Sequence, residues 1–161
     1  MPRIGRQASS SGYYHVMISG SNKEFVFRSD DERWFLLELL CDQQTSDKLE
    51  LVAWCIMNNH LHTIVKAELE TLSRAIKVIN LKYAARYNRM HRRVGPVFGD
   101  RYRSEAIEDD AYLLGALRYL HLNKVSVLGR LGGSVRGFTE FHRQSDLTLY
   151  LETSEDRESY R

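Results

Sequence analysis

Two histidines separated by one residue are the first feature of this 161-residue chain that could do chemistry. His60 and His62 flank Leu61 in a run of strand-forming residues, and side chains two apart on a strand point to the same face. Two imidazoles on one face suit a divalent metal ion, although a pair of structural histidines fits the same pattern. The pattern predicts a metal site that needs a third ligand.

A tyrosine and an amide recur at helical spacing in a later segment. Tyr112, Ala116, Tyr119 and Asn123 follow one another at intervals of four, three and four residues, so a helix places them on one face. A tyrosine hydroxyl and an amide on one helix face could take part in catalysis. It also fits a helix whose tyrosines cover the edge of the core and whose Asn123 caps the C-terminus. The residues alone leave both interpretations open.

Positive charge is concentrated in residues 74–103, although the whole chain has a net charge of only +2. This segment carries nine Lys and Arg against one acid, and it also contains aromatic residues. Cations that meet phosphates and aromatic rings that stack on unpaired bases are typical of a nucleic-acid groove, whereas a solvated helix face is the alternative. The predicted nucleic-acid-binding residues are Arg74, Lys77, Lys82, Arg86, Arg89, Arg92, Arg93, Arg101 and Arg103.

The elements that must position these residues follow the order β-α-β-β-α-β-α. Hydrophobic periodicity, caps and turn residues define them. This order predicts a ferredoxin-like or RRM-like α+β fold with an antiparallel sheet and helices packed largely on one face. The predicted elements are a strand at 13–19, a helix from Ser29 to about Thr45, a hairpin of 49–57 and 60–65, a helix capped by Thr71 or Ser73, an extended stretch at 98–107, and a helix from 108–110 to about Asn123.

Length and composition favour one core domain, which we place at residues 1–128. Residues 129–161 are rich in glycine and then hydrophilic, which predicts a partly disordered C-terminal extension. Cys41 and Cys55 are too few for a disulfide framework and lack the spacing of a zinc site. The N-terminus has no apolar signal segment, and no apolar run is long enough to span a membrane. We therefore expect a cytoplasmic protein without a membrane partner.

The chain resembles the HUH single-strand DNA transposases, in which two histidines flank a hydrophobic residue. The wider pattern resembles the REP-associated tyrosine transposases, a branch related to the single-tyrosine insertion-sequence enzymes, and the resemblance runs in order from residue 13 to residue 123. The segments that carry it are Tyr14-His15-Val16, the Gly20 turn leading to Phe27, Met57-Asn58-Asn59-His60-Leu61-His62, Leu72-Ser73-Arg74, Tyr83-Ala84-Ala85-Arg86-Tyr87-Asn88, Gly95-Pro96-Val97-Phe98, Arg101-Tyr102-Arg103-Ser104 and Tyr119-Leu120-His121-Leu122-Asn123.

This resemblance implies a metal-dependent enzyme that cleaves and rejoins single-stranded DNA. It assigns His60, His62 and Asn123 as ligands of Mg²⁺ or Mn²⁺ and Tyr119 as the nucleophile that forms a 5′-phosphotyrosine. The implied partner is a DNA hairpin with adjacent unpaired bases, bound by a monomer or a homodimer through the basic segment. Residues 1–128 would then be the catalytic domain.

Two departures and one competing function accompany the resemblance. Ser19 stands where family members commonly have arginine, and residues 124–128 differ from the family's proline-valine-arginine-alanine-glycine run. The competing function is a non-catalytic module that binds hairpin or single-stranded nucleic acid on the same scaffold. A phosphodiesterase that uses activated water is a further alternative, and it would leave no covalent adduct.

Overall fold

The structure, a computed structural model, describes residues 5–46, 49–99 and 101–128, and for residues 45 and 121–128 it describes the backbone only. The predicted extension 129–161 lies outside these residues. None of the described helices is both long and apolar enough to cross a membrane. The elements are β1 (Tyr13–Ser19), a 3₁₀ turn (Ser21–Lys23), α1 (Asp30–Thr45), β2 (Glu50–Ile56), β3 (His60–Lys66), α2 (Leu69–Met90), β4 (Arg103–Ile107) and α3 (Asp110–Leu128).

The four strands form one antiparallel sheet in the order β2-β3-β1-β4. β1 and β2 are therefore joined by a crossover through α1, and β3 lies between them. This arrangement confirms the predicted ferredoxin-like α+β fold. β1 and β3 occupy the centre of the sheet, so residues on these two strands have neighbouring strands on both sides.

The two faces of the sheet are covered by different helices. We call the first the core face: it carries Tyr14, Val16 and Ile18 of β1 in the large apolar cluster packed by α1 and α2. We call the opposite face, which carries His60 and His62, the histidine face. Here α3 contributes to a smaller cluster that also includes β2, β3 and β4. Of the three α-helices in the described part of the chain, α1 and α2 thus share one face, and α3 covers the other.

Several element boundaries differ from the sequence predictions. Ser29 and Glu32 together cap the start of α1, which agrees with the predicted helix start, but the predicted caps of α2 were wrong. α2 begins at Leu69 with no side-chain cap, because Leu72 and Ile76 pack into the core and extend the helix upstream. The extended stretch at 98–107 supplies only a short strand, preceded by an isolated bridge between Phe98 and Gly20.

Candidate active site

The turn between β2 and β3 places the two histidines. The backbone N–H of Met57 donates to the carbonyl of His60 (2.8 Å), which closes a turn with Asn58 and Asn59 at its tip. Three donors from other elements hold this tip: the N–H of Gly20 to the carbonyl of Asn59 (2.8 Å), the N–H of Phe27 to the carbonyl of Asn58 (3.0 Å), and the guanidinium of Arg33 to Asn58 Oδ1 (2.9 Å). These hydrogen bonds therefore hold the turn that leads directly into β3, which begins at His60.

Gly20 at the end of β1 is required by close packing. A Cβ at this position would lie 2.5 Å from the carbonyl oxygen of Glu24 and 3.0 Å from a methyl group of Val26. Any larger residue would have to move the backbone. Because the N–H of Gly20 also holds Asn59, such a movement would reach the histidine turn.

His60 presents one free ring nitrogen on the histidine face. Its Nδ1 lies 2.6 Å from Asn59 Oδ1, and because an amide oxygen can only accept, Nδ1–H is the donor. The neutral ring then has an unprotonated Nε2. Burial lowers the pKa of His60, which favours this neutral form. The His60 imidazole is thus in the state that binds a metal ion.

Nδ1 of His62 also has a hydrogen-bond partner. Its Nδ1 lies 3.1 Å from Nε2 of His15, and its ring centroid lies 4.9 Å from that of His60. Burial, with smaller contributions from the charges of His60 and His15, lowers the pKa of His62 to about 4. Both histidines of the pair are therefore neutral at physiological pH and share one face, as the sequence predicted.

α3 brings Tyr119 to the same place. Ala116 and Leu120 are buried against the sheet, and Tyr119 between them packs edge-on against His62, with ring centroids 5.4 Å apart. Tyr119 remains 47% exposed, so much of the residue is accessible from solvent. A candidate nucleophile and two candidate metal ligands thus come together from a helix and a strand.

Tyr112, two turns earlier on α3, is in a different environment. Its hydroxyl donates to a carboxylate oxygen of Glu105 at 2.6 Å. Burial and this hydrogen bond raise the pKa of Tyr112 to about 12, which makes its phenolate harder to form. Of these two tyrosines, Tyr119 is the better candidate nucleophile.

The third predicted metal ligand, Asn123, lies within α3, one turn after Tyr119. Because α3 continues to Leu128, Asn123 is not the C-terminal cap that the sequence also allowed. Its side chain lies outside the described part of the structure, so its role as a ligand stays a prediction. Among the described side chains, no group of three or more His, Cys, Asp or Glu could hold a metal ion. The donor set that fits a metal here is Nε2 of His60 and Nε2 of His62, completed by an oxygen ligand.

The predicted basic residues divide between the two sides of the sheet. α2 packs on the core face, so its cations project away from the histidines, whereas Arg103 aligns with Met17 on the histidine face. Some of these cations already have partners: Arg74 of α2 pairs with Glu70 (3.2 Å), Arg86 of α2 stacks over Phe35 (4.2 Å), and Arg93, after the end of α2, pairs with Glu24 (2.9 Å). Of the predicted DNA-binding residues, those that are exposed and have no ion pair within the described residues are Lys77, Lys82, Arg89, Arg92, Arg101 and Arg103.

Two residues that contact the histidine pair had no role in the sequence analysis. Asn59 orients His60, and His15 of β1 contacts His62. The alternation of β1 offered a signal for His15, because Tyr13, His15 and Met17 share one face of the strand. Without the strand order, however, nothing placed that face beside His62.

Comparison with known proteins identifies similar families and folds. The family model described as "Transposase IS200 like" matches residues 8–123. A REP-associated tyrosine transposase bound to a REP hairpin has a similar structure: TM-score 0.63, 13% identity, covering 94% of this chain and 93% of that one. A protein from Deinococcus radiodurans R1 described as a candidate transposase is also similar: TM-score 0.51, 19% identity, covering 76% of this chain and 98% of that one. A search of curated proteins finds no match.

Proposed function

The chain belongs to the IS200-like transposase family, and on that basis we propose that it cleaves and rejoins single-stranded DNA through Tyr119. In this proposal the enzyme depends on a divalent metal ion and forms a 5′-phosphotyrosine intermediate. The observation that carries it is the contact between Tyr119 and His62, with ring centroids 5.4 Å apart on the histidine face. A nucleophile that lies beside candidate metal ligands can reach a phosphate bound by that metal.

We assign His60, His62 and Asn123 as the ligands of Mg²⁺ or Mn²⁺. Nδ1 of His60 donates to Asn59, which leaves Nε2 of His60 unprotonated, and Nε2 of His62 is unprotonated when its Nδ1 donates to His15. A bound divalent ion supplies Lewis-acid charge to the non-bridging oxygens of the scissile phosphate. The neutral state of both imidazoles favours metal binding, since neither ring carries a positive charge that would repel the cation.

The chemical step is a transesterification. The Tyr119 oxygen attacks the scissile phosphorus and loses its proton, the bond from phosphorus to the 3′ oxygen breaks, and that oxygen takes up a proton as a free 3′-hydroxyl. The 5′ phosphate is then esterified to Tyr119. Attack by a 3′-hydroxyl of a second strand reverses these bond changes and rejoins DNA without ATP, because the phosphotyrosine bond conserves the phosphoester energy.

We propose that the exposed cations bind DNA on both sides of the sheet. Lys77, Lys82 and Arg89 of α2 are placed to contact hairpin phosphates, and Arg103 is placed to contact the single strand that enters the histidine face. The structural neighbour that was solved with a REP hairpin supports a hairpin as the partner. This division predicts that α2 contributes affinity and that the histidine face contributes chemistry.

A non-catalytic hairpin-binding module is the second candidate function. The observation in its favour is that the exposed α2 cations lie away from Tyr119 and need no catalytic group to bind phosphates. The two candidate functions predict the same affinity for DNA. They differ in whether a covalent product forms.

The test is incubation of the full chain with hairpin-bearing single-stranded DNA and Mn²⁺, followed by denaturing electrophoresis. We expect a protein band that carries the label of 3′-labelled DNA, since the strand downstream of the cut stays attached through its 5′ phosphate. The same DNA labelled at its 5′ end should be released as a free fragment. Binding without any covalent band would favour the module, and cleavage without a band would favour water as the nucleophile.

A further inference from the structure

We propose that His15 is a positioning residue that holds His62 in the tautomer required for metal binding. The inference rests on the proposed metal site at His60 and His62. His15 lies on β1, the central strand next to β3, and its Nε2 lies 3.1 Å from Nδ1 of His62. The two ring centroids are 5.2 Å apart and the rings are tilted by 35°, so this contact runs between ring edges and fixes the rotation of the His62 ring.

The direction of this hydrogen bond decides whether His62 can bind a metal. A neutral imidazole carries one proton, so an unprotonated Nε2 on His62 requires the proton on Nδ1. His62 Nδ1–H must then donate to His15, and Nε2 of His15 must accept. His15 in turn carries its proton on Nδ1. If His15 were instead the donor, the His62 proton would sit on Nε2 and block the metal.

Glu105 favours the productive tautomer of His15. It lies directly opposite His15 on β4, on the side of β1 away from β3 and His62. Burial lowers the pKa of His15 and outweighs the opposing effect of the Glu105 charge, so the His15 ring is neutral and one of its nitrogens can accept. A carboxylate on this side attracts the imidazole proton to the ring nitrogen that does not face His62. The chain from Glu105 through His15 to His62 therefore leaves Nε2 of His62 free.

The test compares His15→Leu with His15→Gln in the full chain. Leucine fills the space but cannot accept a hydrogen bond, whereas the amide oxygen of glutamine reaches about as far as Nε2 of histidine and can accept from His62. Mn²⁺ affinity is measured from the electron paramagnetic resonance signal of free Mn²⁺, which needs no DNA. We expect His15→Leu to weaken Mn²⁺ binding about 10- to 100-fold and His15→Gln to restore it to within about threefold of wild type.

The matched control is His91→Leu, which removes an imidazole at the C-terminal end of α2, where it contacts Glu32 rather than the histidine pair. It should leave the Mn²⁺ affinity unchanged. Circular dichroism checks that each variant is folded. Glu105→Ala gives a second route should His15→Leu not fold, because Glu105 is exposed. It should weaken Mn²⁺ binding several-fold.

Four results would overturn the inference. A folded His15→Leu variant with wild-type Mn²⁺ affinity would show that His62 needs no hydrogen-bond acceptor. Unchanged Mn²⁺ affinity in Glu105→Ala would show that Glu105 does not set the tautomer of His15. Equal losses in His15→Leu and His15→Gln would show that an acceptor is not sufficient. Wild-type protein that bound no Mn²⁺ would overturn the metal site of the proposed function, and with it this inference. The wild-type measurement thus distinguishes a failure of the proposed metal site from a failure of the role assigned to His15.

Discussion

Tyr119 and His62 pack edge to face, with ring centroids 5.4 Å apart and ring planes at 82°, although one lies on the last described helix and the other on an inner strand. Leu120 and Ala116 are buried against the histidine face and hold the helix in this position. The candidate nucleophile and the candidate metal ligands thus meet within a single chain.

Tyr119→Phe should abolish the covalent DNA adduct and leave the fold and most of the DNA affinity intact. The ring that packs against His62 remains, and only the attacking hydroxyl is lost. Denaturing electrophoresis with 3′-labelled hairpin DNA and Mn²⁺ measures the adduct, and we expect a loss of at least about 10³-fold.

Tyr13→Phe is the matched control, because Tyr13 lies on the same sheet face beside Lys66 and outside the histidine cluster. It should form the adduct normally. An adduct that survives in Tyr119→Phe and disappears in Tyr112→Phe would contradict the assignment of the nucleophile.

Asn59→Ala should weaken Mn²⁺ binding by roughly tenfold, because the His60 ring loses the acceptor that keeps its proton on Nδ1. Asn59→Asp should bind Mn²⁺ at least as well as wild type, since a carboxylate oxygen also accepts this proton. Calorimetric titration with Mn²⁺ measures both. Equal weakening by the two substitutions would show that Asn59 acts through the turn and not through His60.

Stability without metal should fall as the pH falls from about 6.5 towards 4. The pKa of His62 is about 4 in the folded chain, so between this value and the ordinary histidine value of 6.5 the unfolded chain binds more protons. His62 contributes this stability fully above about pH 6.5. Urea unfolding in EDTA measures how much the free energy of unfolding falls between pH 7 and pH 5. This fall should be roughly 1–2 kcal/mol larger in wild type than in His62→Gln. Equal losses would contradict the lowered pKa.

Lys82→Gln combined with Arg89→Gln should weaken hairpin binding and reduce its dependence on salt. Both side chains are exposed, so each is free to contact a phosphate. Removal of two phosphate contacts should make the slope of the logarithm of the DNA-binding constant against the logarithm of salt concentration less negative by about 1.4–1.8. Lys23→Gln with Arg28→Gln, two exposed cations outside the basic segment, should leave the slope unchanged. Equal slopes in all three proteins would place the DNA on another surface.

Gly20→Ala should lower the free energy of unfolding by about 1–3 kcal/mol, because the added Cβ would lie 2.5 Å from the carbonyl oxygen of Glu24. Gly115→Ala is the matched control. It lies inside α3 with nothing within 4 Å of its Cβ position, so alanine should stabilise the chain by about 0.5–1 kcal/mol. Urea unfolding measures both changes, and equal effects of the two substitutions would rule out the close contact at Gly20.

The sequence by itself determined the elements and the local geometry of the candidate site. Alternation along β3 places His60 and His62 on one face, and helical spacing places Asn123 one turn after Tyr119. These relations depend only on the backbone geometry of a single element. They can therefore be worked out before any contact between elements is known.

Only the tertiary structure decided which elements meet. α3 crosses the histidine face, α2 packs on the core face, and the order of the strands places His15 beside His62. The sequence therefore identified Tyr119 through a resemblance, assigned no role to His15, and treated the α2 cations and Arg103 as one group. The physical reason is that a contact between elements depends on which apolar faces are buried together and in which strand register, and neither is encoded in the periodicity of any one segment.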